Sequence, residues 1–153
     1  MKTKENVSKK IKIRSGHLIG GLHNKRKTEM IGYVTLGTNK FDEAAAFYDA
    51  LLAELGAGRF METETFIAWA SSPGSPAVSI IRPADGKDAC VGNGVMVALV
   101  VDSNEKVDSL YAKGLELGGT DENEPGFRGD NFYAGYFRDL DGNKLNVFCM
   151  SGG

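Results

Sequence analysis

The chain has 153 residues, 42 % of them apolar and 25 % charged, with two histidines and two cysteines, the composition of one globular domain. No apolar run approaches the roughly 18 to 20 residues that a membrane-crossing helix needs, the longest being Val95 to Val101, and two cysteines are too few for a disulfide framework. The near-neutral total hides a division: residues 1–29 hold nine basic and two acidic side chains, a net of +7, whereas residues 30–153 hold nine basic and eighteen acidic, a net of −9.

Both histidines, His17 and His23, fall in the basic leader. Unless the leader folds back, the body can build no His-ligated zinc or iron site, no Ser-His or Cys-His dyad and no imidazole base. The leader itself is weakly patterned. Lys10-Ile11-Lys12-Ile13-Arg14 alternates polar and apolar, so it is either a basic strand for a sheet edge or a segment upstream of the folded domain. The body from Met30 is patterned throughout.

Ile31 to Leu36 is a β-rich run, and a helix follows it, with Asn39 expected as N-cap and Phe41, Ala44, Tyr48, Leu51 or Leu52, and Leu55 at helical spacing before Gly56. Three strands are expected near 58–62, 65–71 and 77–82, the last two joined by the hairpin loop Ser72-Pro73-Gly74-Ser75-Pro76. After a linker at 83–94 the order repeats. Val95 to Val101 reads as a strand, Asp102 with Glu105 as a capping box, and Val107, Leu110, Tyr111 and Leu115 as a helix face ending at Gly118-Gly119. Strands near 120–122, 132–138 and 144–150 complete the second copy, with Pro125 to Asp130 as an inserted loop. A slide of 63 residues lays Tyr33 on Met96, Tyr48 on Tyr111 and Gly56 on Gly119, and an offset of about 67 aligns the final strands and brings Ser79 onto Asn146. This is an internal duplication of a βαβββ unit: module 1 at 30–82 and module 2 at 95–150, within a domain spanning 30–153.

One such unit packs its helix on one face of a four-stranded sheet and leaves the other face bare, so two units can enclose a cleft. Val34, Leu36, Val97, Leu99, Leu145 and Val147 read as helix-side, which turns Tyr33, Thr35, Met96, Ala98, Asn146 and Phe148 toward the cleft.

Phe41-Asp42-Glu43-Ala44-Ala45-Ala46-Phe47-Tyr48-Asp49 and the block from Pro125 to Leu145, including Asp139-Leu140-Asp141-Gly142-Asn143, resemble the vicinal-oxygen-chelate superfamily of glyoxalase I, bleomycin-resistance proteins and extradiol dioxygenases. The resemblance covers residues 30–150 and implies an α+β fold of two tandem βαβββ modules, with a cleft between mixed sheets. It also implies a divalent metal held by His, Gln or Glu. Carried over, those positions fall on Tyr33, Met96, Asn146 and, on or near it, Ser79, a phenol, thioether, amide and hydroxyl that make a poor set for Zn, Ni, Mn or Fe(II). No metal and no cofactor are expected.

The cleft then reads as a small-molecule site. Tyr33 offers a hydroxyl, Asn146 an amide, Met96 and Phe148 apolar surface, Trp69 or Tyr133 a stacking face, and Arg128 a guanidinium on a glycine-flanked loop. The bland alternative is that Tyr33 and Asn146 bond each other inside packed core. The net of −9 favours a cationic ligand at long range and disfavours nucleic acid. Cys90 and Cys149 have no histidine to activate them and are expected to be inert. The expected protein is therefore a cytoplasmic one that binds a cationic or planar small molecule, with no membrane partner, and the resemblance implies that it is a homodimer. A glyoxalase-, lyase- or dioxygenase-like enzyme with non-standard ligands is the alternative, and a structural pseudoenzyme the second.

Overall fold

The computed structural model describes residues 30–150; the basic leader and its proposed edge strand lie outside the described residues. The chain forms β1 (Tyr33–Gly37), α1 (Phe41–Ala53), β2 (Gly58–Glu62), β3 (Phe66–Ala70) and β4 (Ala77–Ile81). It then repeats the order as β5 (Val97–Val100), α2 (Asn104–Glu116), β6 (Thr120–Phe127), β7 (Phe132–Arg138) and β8 (Lys144–Met150). Each unit builds its own four-stranded mixed sheet, ordered β1-β4-β3-β2 and β5-β8-β7-β6. In each, the first strand runs parallel to the fourth. A parallel neighbour requires a crossover, and the helix supplies it.

The helices form where the apolar spacing puts one stripe against a sheet. Phe41, Ala44, Ala45, Phe47, Tyr48, Leu51 and Leu52 are buried on α1, and Val107, Leu110, Tyr111 and Gly114 on α2. Each large apolar side chain so buried contributes about 2 kcal/mol. The caps differ from expectation by one residue. Lys40, not Asn39, is the N-cap of α1 and makes no side-chain cap bond, while Asn39 turns aside to exchange hydrogen bonds with the backbone of Ala89. For α2 the cap is Ser103, whose hydroxyl accepts from the Lys106 N–H at 3.2 Å. The expected loop at Pro125 to Asp130 is strand as far as Phe127. Two register shifts in β6 absorb its extra residues, and its polar, proline-bearing sequence suits a sheet edge.

The duplication is visible in the strand pairing. Thr35 pairs with Ser79 in the first sheet and Ala98 with Asn146 in the second, so the offsets of 63 and 67 hold at the level of register. The modules meet where the junction of β1 and α1 receives the β7-β8 turn. There the Tyr48 hydroxyl donates to Asp139 Oδ2 at 2.7 Å, Thr38 Oγ1 donates to Asp141 Oδ2 at 2.6 Å, and Asn143 Nδ2 donates to the Gly37 carbonyl at 3.1 Å. Gly142, at φ +89°, closes that turn in a conformation that strains any residue with a Cβ.

Candidate functional site

Strand alternation divides each sheet into a face packed on its helix and an open face. On the first sheet the open face carries Tyr33 and Thr35 from β1, Ser79 from β4, and Phe66 and Ala68 from β3. Tyr33 is 62 % exposed, and its ring meets Phe66 edge-on at 6.2 Å. Ser79 is fully buried; its hydroxyl lies 2.8 Å from that of Thr35 and donates to the Val34 carbonyl at 2.9 Å.

The second sheet's open face carries Ala98 and Val100 along β5, Lys144, Asn146 and Phe148 along β8, and Phe132, Ala134, Tyr136 and Arg138 along β7, with Met96 just before β5 lining the same side as Arg138 and Lys144. Asn146 is only 1 % exposed, and its amide donates to the carbonyls of Gly135 at 3.0 Å and Val147 at 3.3 Å. The alternative in which Tyr33 and Asn146 bond each other is therefore not the arrangement found, because each side chain is engaged within its own sheet. Met96 and Phe148 lie on the open face as expected, and Met96 is exposed.

Two expected stacking residues point the other way. Trp69 pairs with Arg59 and Val78 on the helix side, buried beside Tyr48, and its indole N–H donates to Asp49 Oδ1 at 2.7 Å. Tyr133 pairs with Cys149, also on the helix side, and its hydroxyl donates to Asp108 of α2 at 2.8 Å. The physical reason is parity: in each strand the residue next to a buried core position of opposite face cannot share its direction. Arg128 does reach the open face, with its guanidinium carbon 5.9 Å from the centre of the Tyr136 ring. Nη2 of Arg128 donates to Asn123 Oδ1 and the Glu124 carbonyl, both at 2.6 Å.

Around Tyr136 lies a polar group that the sequence reading passed over. Lys144 Nζ sits 5.3 Å from the Tyr136 ring centre and 3.1 Å from Glu122 Oε1. Arg138 holds the same carboxylate through Nε at 2.7 Å and Nη2 at 3.0 Å. Hydrogen bonds from Arg138 and then Lys144 pull the Glu122 carboxyl down to about 2. A concavity of about 450 Å³ is lined by Glu122, Asn123, Arg128, Tyr136 and Lys144. It shares Glu122 and Lys144 with a neighbouring one of about 540 Å³ that extends to Arg138, Met96 and the 91–95 loop. The missed signal was available: with Asn146 on the open face, Lys144 follows two residues away, and Tyr136 and Arg138 follow across the strand pair.

The thiols stand apart from this surface. Cys149 is buried, burial and then the charges of Glu105, Asp102 and Asp108 push it up, and it lies 3.0 Å from Asn104 Oδ1. Cys90 is exposed in the inter-module segment.

Two βαβββ modules with parallel first and fourth strands and an open face on each sheet define a paired-module fold. The chain belongs to the Glyoxalase/Bleomycin resistance protein/Dioxygenase superfamily, whose family model matches residues 30–147. A solved glyoxalase/bleomycin resistance protein from Albidiferax ferrireducens is 36 % identical, with 79 % of this chain and 98 % of that chain covered and a TM-score of 0.73. A hypothetical protein from S. aureus is 26 % identical, over 85 % of this chain and 95 % of that one, at 0.62. A lactoylglutathione lyase from Agrobacterium tumefaciens, 18 % identical over 80 % and 94 % at 0.59, shares the fold. No curated protein sequence matches the chain.

The metal implied by the superfamily resemblance does not fit the residues at the corresponding positions. Ser79 and Asn146 are hydrogen-bonded to backbone carbonyls of their own sheets. Tyr33 and Met96 add a phenol and a thioether, so the four supply no carboxylate and no imidazole, the donors that hard and borderline divalent ions take up. Among the described residues no cluster of three or more His, Cys, Asp or Glu side chains is placed to hold a metal ion.

Proposed function

We propose that this chain is a small-molecule-binding protein of the glyoxalase/bleomycin-resistance type that works without a metal, and that it acts as a homodimer. The observation that carries the reading is the state of the inherited ligand positions: Ser79 and Asn146 are buried and bonded as structural groups, and Met96 and Tyr33 stand exposed as contact surface. Open faces that carry tyrosine, phenylalanine and methionine side chains suit a planar or amphipathic molecule better than an ion. The exposure of Tyr33, Met96, Val100 and Met150 on the open faces supports a second copy covering them.

The test is a thermal-shift panel of planar and amphipathic compounds run in EDTA. A ligand that raises Tm equally with and without the chelator is the expected result. A panel that raises Tm only after Zn, Ni, Mn or Fe(II) is supplied contradicts it and favours an enzyme with non-standard ligands. Sedimentation equilibrium tests the oligomer: a dimer mass is expected, and a monomer at high micromolar concentration removes that part of the proposal.

A further inference from the structure

The open face of the second sheet is divided along the strands. Toward one end it is apolar: Val100 pairs with Phe148, Phe148 with Ala134, and the Phe132 and Phe148 rings lie 5.2 Å apart. Toward the other end it is charged, with Arg128, Arg138 and Lys144 against the one carboxylate of Glu122 lining the two concavities. Glu122 does not balance this group: Arg138 and Lys144 share its one carboxylate, and with Arg128 beside them the three cations leave the group net positive. Arg128 has no acidic side-chain partner, and its Nε–H makes no bond among the described residues. Arg128 and Lys144 lie 5.9 and 5.3 Å from the Tyr136 ring centre, and the Tyr136 hydroxyl makes no bond among the described residues.

We propose that this divided face binds a small amphipathic carboxylate, with Arg128 and Lys144 taking the carboxylate over Tyr136 and Val100, Phe132 and Phe148 taking the apolar body. The inference rests on the metal-independent binding reading and narrows it to a ligand class. Dimensions agree: Asn146, beside Tyr136, and Phe148 are two residues apart, roughly 7 Å along the strand, so a fused bicyclic ring carrying one carboxylate spans the boundary. The sign is opposite to the one that the net of −9 favours. Screening decides between them, since at about 0.15 M salt the Debye length is about 8 Å, and a ligand seated between two cations feels those more than carboxylates scattered over the surface. Glu122 is the one acid lining the two concavities, and Asp121 accepts from Tyr111 on the helix side.

Isothermal titration of naphthoate, naphthamide and naphthylmethylamine tests the proposal. Naphthoate is expected to bind at least about tenfold more tightly than the isosteric amide, with the gap closing as salt is raised, and the amine is expected not to bind. Arg128→Gln and Lys144→Gln are each expected to weaken naphthoate about tenfold and leave naphthamide unchanged, with Tm showing that both variants are folded. Arg128 stands on an exposed turn, so its variant keeps the test open if Lys144→Gln unfolds. Naphthoate that fails to bind, an amine that binds as tightly, or affinity untouched by either variant overturns the proposal. If the amide or amine binds in EDTA while naphthoate does not, only the ligand class is overturned and metal-independent binding stands.

Discussion

Module 1 and module 2 share one strand register, yet they are joined to each other unequally and furnish the open faces with different chemistry. The helix tyrosines show the first difference. Tyr48 reaches across to Asp139 in the β7-β8 turn of module 2, whereas its counterpart Tyr111 bonds Asp121 at 2.7 Å inside its own module. Among the described residues the β3-β4 turn of module 1 bonds only to itself, through Ser71, Ser72 and Ser75, and a groove of about 570 Å³ separates that region from β5. One junction is locked and its pseudo-symmetric partner is loose. The second difference is on the open faces: where β3 and β4 carry Ala68, Ala70 and Ala77, the matching places on β7 and β8 carry Tyr136, Arg138 and Lys144. The two copies keep one frame, yet at these places one carries methyl groups and the other a phenol, a guanidinium and an ammonium.

The largest expected effect is at the lock. Asp139→Ala removes an acceptor shared by the Tyr48 hydroxyl, the Asn143 backbone and side chain, and the Asp141 N–H, leaving several buried donors unpaired at a loss of about 3 to 4 kcal/mol in urea unfolding. Asp121→Ala, at the module-internal counterpart, is exposed and is expected to lose only about 1 kcal/mol. Equal losses would mean that the two junctions are equivalent and the asymmetry has no energetic content.

The cores offer a sharper contrast at matching helix positions. Leu51 of α1 is fully buried, and Leu51→Ala should lose about 3 kcal/mol. Its counterpart in α2 is Gly114, where a Cβ would stand 2.5 Å from the Phe137 ring. Gly114→Ala therefore sets overpacking of about 2 kcal/mol against about 1 kcal/mol of gained helix propensity, a net loss of about 1 kcal/mol in the same measurement. A stabilised Gly114→Ala would show that Phe137 moves freely.

The smallest effect concerns Glu122 and acid. Its carboxyl falls from an ordinary 4.5 to about 2 in the folded chain, so its contribution is fully present above pH 4.5 and is lost as pH falls through about 2. Urea midpoints measured down that range should fall more steeply for the native chain than for Glu122→Gln. Identical acid limbs would show that Arg138 and Lys144 do not hold this group.

Much of the frame was legible in the sequence, because periods of two and of 3.6 and a repeated order survive even where side chains diverge. Helix ends were less so: Thr38 bonds Asp141 and Asn39 bonds Ala89, tertiary contacts that moved the α1 cap to Lys40 and that no local pattern carries. At the candidate site, alternation correctly turned Tyr33, Met96, Asn146 and Phe148 to the open faces. Ring chemistry alone marks Trp69 and Tyr133 as stacking faces, but parity turns both toward the helices. Arg138 and Lys144 fall side by side by the same count, but Glu122 joins them through a β6 register that two bulges shift, so its approach could not be counted along the chain.

The proposal that this chain binds its ligand without a metal is tested most directly by metal analysis of the full chain after incubation with Zn, Ni, Mn and Fe(II) and gel filtration. The account predicts metal well below one ion per chain for all four. One ion per chain, lost in Tyr33→Phe or Asn146→Ala while the fold is retained, would contradict it.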